Sequence, residues 1–299
     1  MSSNEGYIQG ALVATLLAAS VQVALRAGVL SFAGAGFYGV GAYGLGYLTT
    51  TQGWGTPAAM LVLLVGTVIA SWLLALVLAR LRALYLAMAT IAFVLLVHIA
   101  ALAWDGVTGG PIGMYGIPPV LSTGSVALIV LGILVINALS QRGARGRSLL
   151  ALRLDEPLAG ALGIDVRRAH RAAFVWSAVI GSVAGFCQVT LLTVFTPENV
   201  GFPVVVSALT ALVVGGAWHW AGPFVGAVVF AWMPVYLGAI GEWRAIVEGV
   251  LTVIVLIYLP HGIVGTVSAM SDRARAMGAS RRDTGAAADD STLEKETVS

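Results

Sequence analysis

The sequence predicts an all-α protein, a polytopic bundle of about nine transmembrane helices with its N-terminus outside and its C-terminus cytoplasmic. Three observations carry that expectation. Of 299 residues, 59% are hydrophobic and only 10% charged, against roughly a quarter charged in soluble domains. Mean hydropathy is +0.93, and apolar runs near the bilayer-crossing length of about 20 residues recur along the chain. Those runs lack period-2 alternation, so they read as helices, whose backbone groups are satisfied internally in lipid, and not as barrel strands.

The first span is expected at about Ile8–Leu25, ahead of Arg26. The N-terminal MSSNEGYIQG lacks the basic region of a cleavable signal, so this span is read as retained. The second, about Val29–Thr49, is glycine-rich, and Ala35, Gly39, Ala42 and Gly46 fall on one helical stripe. Small residues there either let two helices approach closely or line a path through a broken helix. The third span covers about Pro57–Leu78 and ends at Arg80 and Arg82; the fourth, about Leu84–Trp104, carries a lone His98 with no carboxylate in its own span.

Asp105–Thr123 then reads as an outer loop, with five glycines, three prolines and no basic residue. A short fifth span, about Gly124–Leu139, leads to a central loop, Arg142–Arg171, that holds seven arginines. The sixth span is about Ala172–Phe195. Val204–Ala217 is only 14 residues, roughly 21 Å of helix against a core of about 30 Å. It is either a thin, tilted span or a half-helix meeting a cavity. An eighth span, about Pro223–Ile240, and a ninth, about Ala245–Leu259, complete a membrane domain over 1–267. The polar tail 268–299 is expected to be disordered and cytoplasmic.

Sidedness follows from the basic residues. With the central loop cytoplasmic and nine spans alternating, only Arg244 of the 16 basic residues falls outside. Cys187 is the sole cysteine, so an intrachain disulfide and a thiolate metal cluster are excluded.

Several function classes drop out. Lys295, in the tail, is the sole lysine, so there is no Walker A loop to cradle nucleotide phosphates. No H-E-x-x-H zinc motif, G-x-S-x-G elbow or paired intramembrane aspartates are present. No catalytic residue, metal ligand or cofactor is expected, and no nucleic-acid partner. Ion-coupled transport normally uses ionisable groups at mid-membrane, and the spans hold only His98 and Glu248. An ion-coupled secondary transporter therefore stands as the alternative to a path powered by a partner protein.

Such a partner would grip the central loop. Arg147–Arg153 alternates weakly in hydropathy, and Asp155-Glu156-Pro157 then starts a helix. Asp155 is the N-cap, Glu156 sits at the positive end of the dipole and proline is tolerated in a first turn. Leu158, Ala159, Ala161 and Leu162 follow, and Gly163 suits a left-handed stop. So short a helix is marginal alone, so it docks either on the membrane surface or in a groove on a cytoplasmic ATPase.

Four stretches resemble one family in order. RGRSLLALRLDEPLAGALGIDVRRAHRAAFVWSAVIGSVAG presents Gly146, Arg147, Ala151 and Arg153, then Ala159, Gly163 and Ile164, then Ala173, Phe174, Ser177, Ala178 and Gly181. LSFAGAGFYGVGAY (Leu30–Tyr43), TGGPIGMYGIP (Thr108–Pro118) and GGAWHWAGPFVGA (Gly215–Ala227) accompany it, with Ala33 and Trp218 where the family pattern has glycine. Together they resemble the permease subunits of branched-chain amino acid ABC transporters, the LivM type. The resemblance implies a multi-pass protein of the bacterial inner membrane that imports an amino acid. It also implies a second, LivH-type permease, two cytoplasmic ABC ATPases and an extracytoplasmic substrate-binding protein as partners, besides the lipid bilayer. Related permeases carry urea or short amides. The loop is then the coupling segment, with Arg147, Arg153, Asp155, Glu156, Ala159, Leu162 and Gly163 as the expected ATPase-coupling residues. Pro157-Leu158-Ala159 stands where the broader importer pattern has E-A-A. Phe37, Tyr43, Thr108, Gly109, Gly110 and Asn199, near helix breaks, are the candidate substrate-pathway positions.

Overall fold

The computed structural model describes residues 3–78, 81, 83–237, 249–250 and 262–266. Arg80, Arg82, Arg244, Glu248, nearly all of the expected ninth span and the tail 268–299 lie outside the described residues. The fold is mostly helical. Four long helices come first: α1 (Ser3–Arg26), α2 (Ala33–Thr50), α3 (Thr56–Leu78) and α4 (Ala83–Ala103). One helical turn, α5 (Asp105–Thr108), a 3-10 turn (Gly110–Ile112) and a two-residue strand β1 (Met114–Tyr115) follow. Next come α6 (Thr123–Ser140), α7 (Gly143–Leu154), α8 (Glu156–Ala161) and α9 (Val166–Leu192). Strand β2 (Val194–Phe195), a 3-10 turn (Pro197–Asn199), α10 (Phe202–Gly215) and α11 (Gly222–Leu237) complete the order.

Among the described residues, six segments are long and apolar enough to cross a bilayer: Glu5–Arg26, Thr56–Leu78, Leu84–Ala103, Thr123–Ser140, Val166–Leu192 and Pro197–Gly215. The chain is a multi-pass membrane protein. Burial sorts these helices. In α3 the exposed side chains include Leu61, Val65, Ile69 and Leu73, a ladder at i+4 spacing. Apolar surface of that extent belongs against lipid. By contrast α1 and α9 are mostly buried, and α2 has 13 of its 18 residues buried.

Glycine decides why α2 occupies the middle. Helices in lipid gain little from apolar burial against one another and associate by close packing. A Cβ on Gly181 of α9 would lie 2.0 Å from the Gly34 carbonyl oxygen of α2, and one on Gly185 would lie 2.2 Å from that of Tyr38. The expected stripe of Ala35, Gly39, Ala42 and Gly46 is used for packing too, but against other neighbours. A Cβ on Gly39 would meet Val200 and Val97, and one on Gly46 would meet Met114. The α9 contact runs one position over, through Gly34, Tyr38 and Gly41.

Two sequence expectations are corrected. The weak alternation over Arg147–Arg153 is a helical turn pattern, since α7 runs unbroken from Gly143 to Leu154. Its Ala, Leu and Arg residues favour helix, and Leu152 is buried. The sixth span begins at Val166 and not near Ala172, because Asp165 accepts from the Arg168 N–H (3.0 Å) and caps the helix. The loop 105–123 is also more ordered than its glycine and proline content suggests: β1 pairs antiparallel with β2, Met114 opposite Phe195.

Candidate functional site

A cavity of about 440 Å³ lies among α1, α2, α9, α10 and α11, at the end of the bundle where α1 begins. Its polar lining is Tyr7 and Tyr38, Gln188 on α9, Glu198 and Asn199, and Ser207 on α10. Apolar residues such as Val13, Leu17, Val204 and Phe230 fill the remainder. Gly6 and Gly10 keep the α1 wall open, since nothing lies within 4 Å of a Cβ at either.

Local chemistry fixes the polar groups. The Thr196 N–H and hydroxyl both donate to Asn199 Oδ1, at 3.0 and 2.9 Å, which locks the turn carrying Glu198. His98 Nδ1 is 3.0 Å from the Pro197 carbonyl oxygen and braces the same turn from α4. Tyr38 stands edge-on to Phe195, centroids 5.5 Å apart. Ser207 donates to the Pro203 carbonyl (2.9 Å). No lysine, arginine or histidine lines the cavity among the described residues, and Glu198 is its carboxylate. Such a lining suits a neutral, zwitterionic or cationic solute better than an anion.

Of the six substrate-pathway positions read from the sequence, only Asn199 reaches this cavity. Phe37 is 2% exposed and packs on Phe93, centroids 5.2 Å apart. Tyr43 meets Phe195 edge-on at 4.9 Å, with its hydroxyl buried and unpaired. The Thr108 hydroxyl donates to the carbonyls of Ala101 (2.6 Å) and Trp104 (2.8 Å), closing the end of α4. Gly109 and Gly110 both have positive φ; a Cβ on Gly109 would lie 2.2 Å from the Gly113 oxygen and one on Gly110 1.9 Å from Asp105 Oδ1. Sequence reasoning missed Tyr38, Gln188 and Glu198. For Gln188 the signal was present, an amide inside an otherwise apolar run.

The other end of the bundle carries the arginine-rich helices. Asp155 caps α8 by accepting from the Leu158 N–H (3.1 Å), and Ala159 is fully buried. Gly163 sits at φ 82°, with its N–H donating to Gly160 and that of Ile164 to Ala159, 3.0 and 3.1 Å. The caps read from sequence are thus formed. Arg147 and Glu156 are exposed, and Leu154, Leu158 and Leu162 form an outward apolar edge, each more than half exposed.

Helix α7 is tied to the membrane helices through the α10–α11 turn. The Arg153 guanidinium lies over the Trp218 ring, and Arg26 donates to the Trp218 carbonyl oxygen. The Gln22 amide donates to the carbonyls of Ala217 (3.1 Å) and His219 (2.8 Å). Burial lowers the basicity of the Arg153 guanidinium. The His219 imidazole is held below the ordinary histidine range by burial and then by the Arg26 charge. The turn itself is tight: a Cβ on Gly215 would lie 1.9 Å from the Gly222 oxygen, and one on Gly226 1.8 Å from that of Ala211.

Residues 5–257 match the profile of the family described as branched-chain amino acid transport system / permease component. The chain belongs to that family. It is 27% identical over 271 residues to the high-affinity branched-chain amino acid transport system permease protein LivM of Escherichia coli K12, covering 79% of this chain and 64% of that protein. LivM of Salmonella typhimurium is matched at the same identity over 275 residues, again 79% of this chain and 64% of the relative. LivH of Salmonella typhimurium is 30% identical over 139 residues, 45% of this chain and 44% of that protein. The chain therefore spans 64% of the length of the LivM relatives. No solved structure matches. The family is one of transport-system permease components, and the glycine-rich α2, the TGGPIGMYGIP turn and the GGAWHWAGP hairpin of this permease each form a close backbone contact.

Proposed function

We propose that this permease is one membrane half of an ABC importer in the bacterial inner membrane that carries branched-chain or related amino acids into the cytoplasm. An extracytoplasmic binding protein delivers the solute, a second LivH-type permease completes the pathway, and two cytoplasmic ATPases supply the energy by docking on α8. In this reading nine spans leave the N-terminus outside and the C-terminus cytoplasmic, and 268–299 is a disordered cytoplasmic tail after a permease domain of 1–267. Coupling residues are Arg147, Arg153, Asp155, Glu156, Ala159, Leu162 and Gly163.

The observation that carries this reading is the span of α9, whose first residues follow α8 and whose Gln188 lines the cavity. A push on α8 is delivered to the cavity wall through a rigid helix locked on α2 by Gly181 and Gly185. The cavity has room for a small solute, and Tyr38, Gln188, Glu198 and Asn199 are the contacts expected to hold it. Phe37, Tyr43, Thr108, Gly109 and Gly110 support the pathway by packing and by closing turns around it.

Uptake of leucine and of urea into vesicles, with and without the ATPase partners, tests this. ATP-dependent leucine uptake is the expected outcome, with Gln188→Leu and Glu198→Gln raising KM. A preference for urea would move the protein to the short-amide branch of the same class. Uptake driven by an ion gradient without the ATPases would sink the proposal and favour secondary transport.

A further inference from the structure

A second, smaller cavity of about 110 Å³ opens where the end of α1 meets α6, α7 and the α10–α11 turn. Arg26, Arg153, Gln141, Trp218, Leu149 and Leu150 line it. Both guanidiniums engage the same residue, Trp218, which sets two positive charges on the wall of one small pocket. Arg26 is held by the Trp218 carbonyl and Arg153 by the Trp218 ring. The one ion pair among the described residues joins Arg168 to Asp165 at 2.9 Å, so neither guanidinium has a carboxylate partner among them. Two like charges in a partly desolvated pocket are unfavourable without a counter-charge, and a bound anion would supply it.

The surroundings say what kind of anion. The pocket lies at the boundary between the membrane-crossing helices α1 and α6 and the arginine-rich α7. Leu150 and Trp218 expose apolar surface beside it, 53% and 42% accessible. Tryptophan is a bilayer-interface residue, and paired guanidiniums match phosphate oxygens geometrically. We propose that this pocket binds a phosphate group, supplied by the headgroup of an anionic phospholipid whose chain runs over Leu149 and Leu150. Basic pockets at the ends of membrane helices bind such headgroups. The bound lipid pins α7 to the end of α1, so it sets the position of the segment that leads into α8. The inference rests on the fold and not on the transport reading, and its test reads binding and not uptake.

The full-length protein in neutral detergent, stripped of lipid, is titrated with mixed micelles containing phosphatidylglycerol, with phosphatidylcholine micelles, and separately with inorganic phosphate. Retained ligand is read by native mass spectrometry. The expected result is saturable retention of phosphatidylglycerol over phosphatidylcholine, weakened roughly five-fold or more in Arg153→Gln. Arg168→Gln, which removes an exposed arginine outside the pocket, should bind like the parent. At the first arginine Arg26→Lys is used, since it keeps a charge and a donor for the Trp218 carbonyl; it should fold and bind more weakly. Retention of inorganic phosphate that depends on Arg153, without a lipid preference, would overturn the lipid source in favour of free phosphate. Equal binding by the parent and Arg153→Gln, or no retention of either probe, overturns the proposal.

Discussion

Arg153 of α7 stacks its guanidinium on the ring of Trp218, in the turn between α10 and α11. The contact joins a helix outside the membrane-crossing set to two helices that line the 440 Å³ cavity. A cation over an indole face contributes about 0.5–1 kcal/mol at an exposed site and about 2 when desolvated. Trp218→Ala should lower thermal stability in detergent by about that amount. Arg26 keeps its backbone acceptor in this variant, so the loss reports the ring alone. Arg153→Lys should recover only part of the contact, and an unchanged unfolding midpoint in Trp218→Ala would remove the stack from the stability of the fold.

The α2–α9 crossing is expected to be far less forgiving. At Gly181 and Gly185 the obstructing atoms are backbone oxygens of Gly34 and Tyr38, which cannot swing away. Gly181→Val should cost about 3 kcal/mol or more, as overpacking does at its upper end, and yield aggregated or degraded protein. Gly66→Ala on α3 is the control, since nothing lies within 4 Å of its Cβ. That exchange should be neutral or stabilising by up to about 1 kcal/mol through helix propensity. Size-exclusion profiles of the two variants separate the outcomes.

At α8 the expected effect is on coupling. Asp155→Ala removes the acceptor for the Leu158 N–H and should cost the helix about 1 kcal/mol. Gly163→Val forces a β-branched residue to φ 82°, which costs about 1–2 kcal/mol. With the proposed ATPase partners present, both variants should insert normally while ATP hydrolysis continues without matching uptake. Normal uptake per ATP in Gly163→Val would take α8 out of the mechanism.

Acid should loosen the α10–α11 turn. Burial and the Arg26 charge hold His219 below the ordinary histidine range. Its neutral Nδ1 accepts from the Ala221 N–H at 3.3 Å, and an imidazolium has no lone pair to do so. The unfolded chain binds this proton at higher pH than the folded one. The stabilisation is therefore complete above about pH 6.5 and is lost as pH falls through the lower folded value. The unfolding midpoint should fall between about pH 7 and pH 5, and His219→Gln should show a shallower fall.

The parts of this fold that were legible in advance are those whose cause is local. Asp155, Pro157 and Gly163 define α8 because an N-cap, a first-turn proline and a left-handed stop each act within a few residues. Helix α7 was harder: its arginines mask a helical pattern whose buried side is little more than Leu152. The stripe on α2 was seen as small, but which neighbour took which glycine was not, since Gly34 and Gly39 differ only in the helix they face. Of the pathway positions, Asn199 lines the cavity, while Thr108 and Phe37, chosen by the same logic, are turned to a cap and to packing.

By itself, the sequence determined that this is a helical membrane protein of the permease family. It also located the long apolar helices, though not the capped start of α9 at Val166, through apolar length that depends on neighbours along the chain. Only the tertiary structure decided that α2 lies at the centre, that Tyr38, Gln188, Glu198 and Asn199 meet around one cavity, and that Arg153 reaches Trp218. Those pairings depend on how helices rotate and close upon one another. Glycines without side chains set that rotation by permitting backbone contact at Gly181, Gly185 and Gly215, and the chain order around each glycine does not say which helix will fill the space.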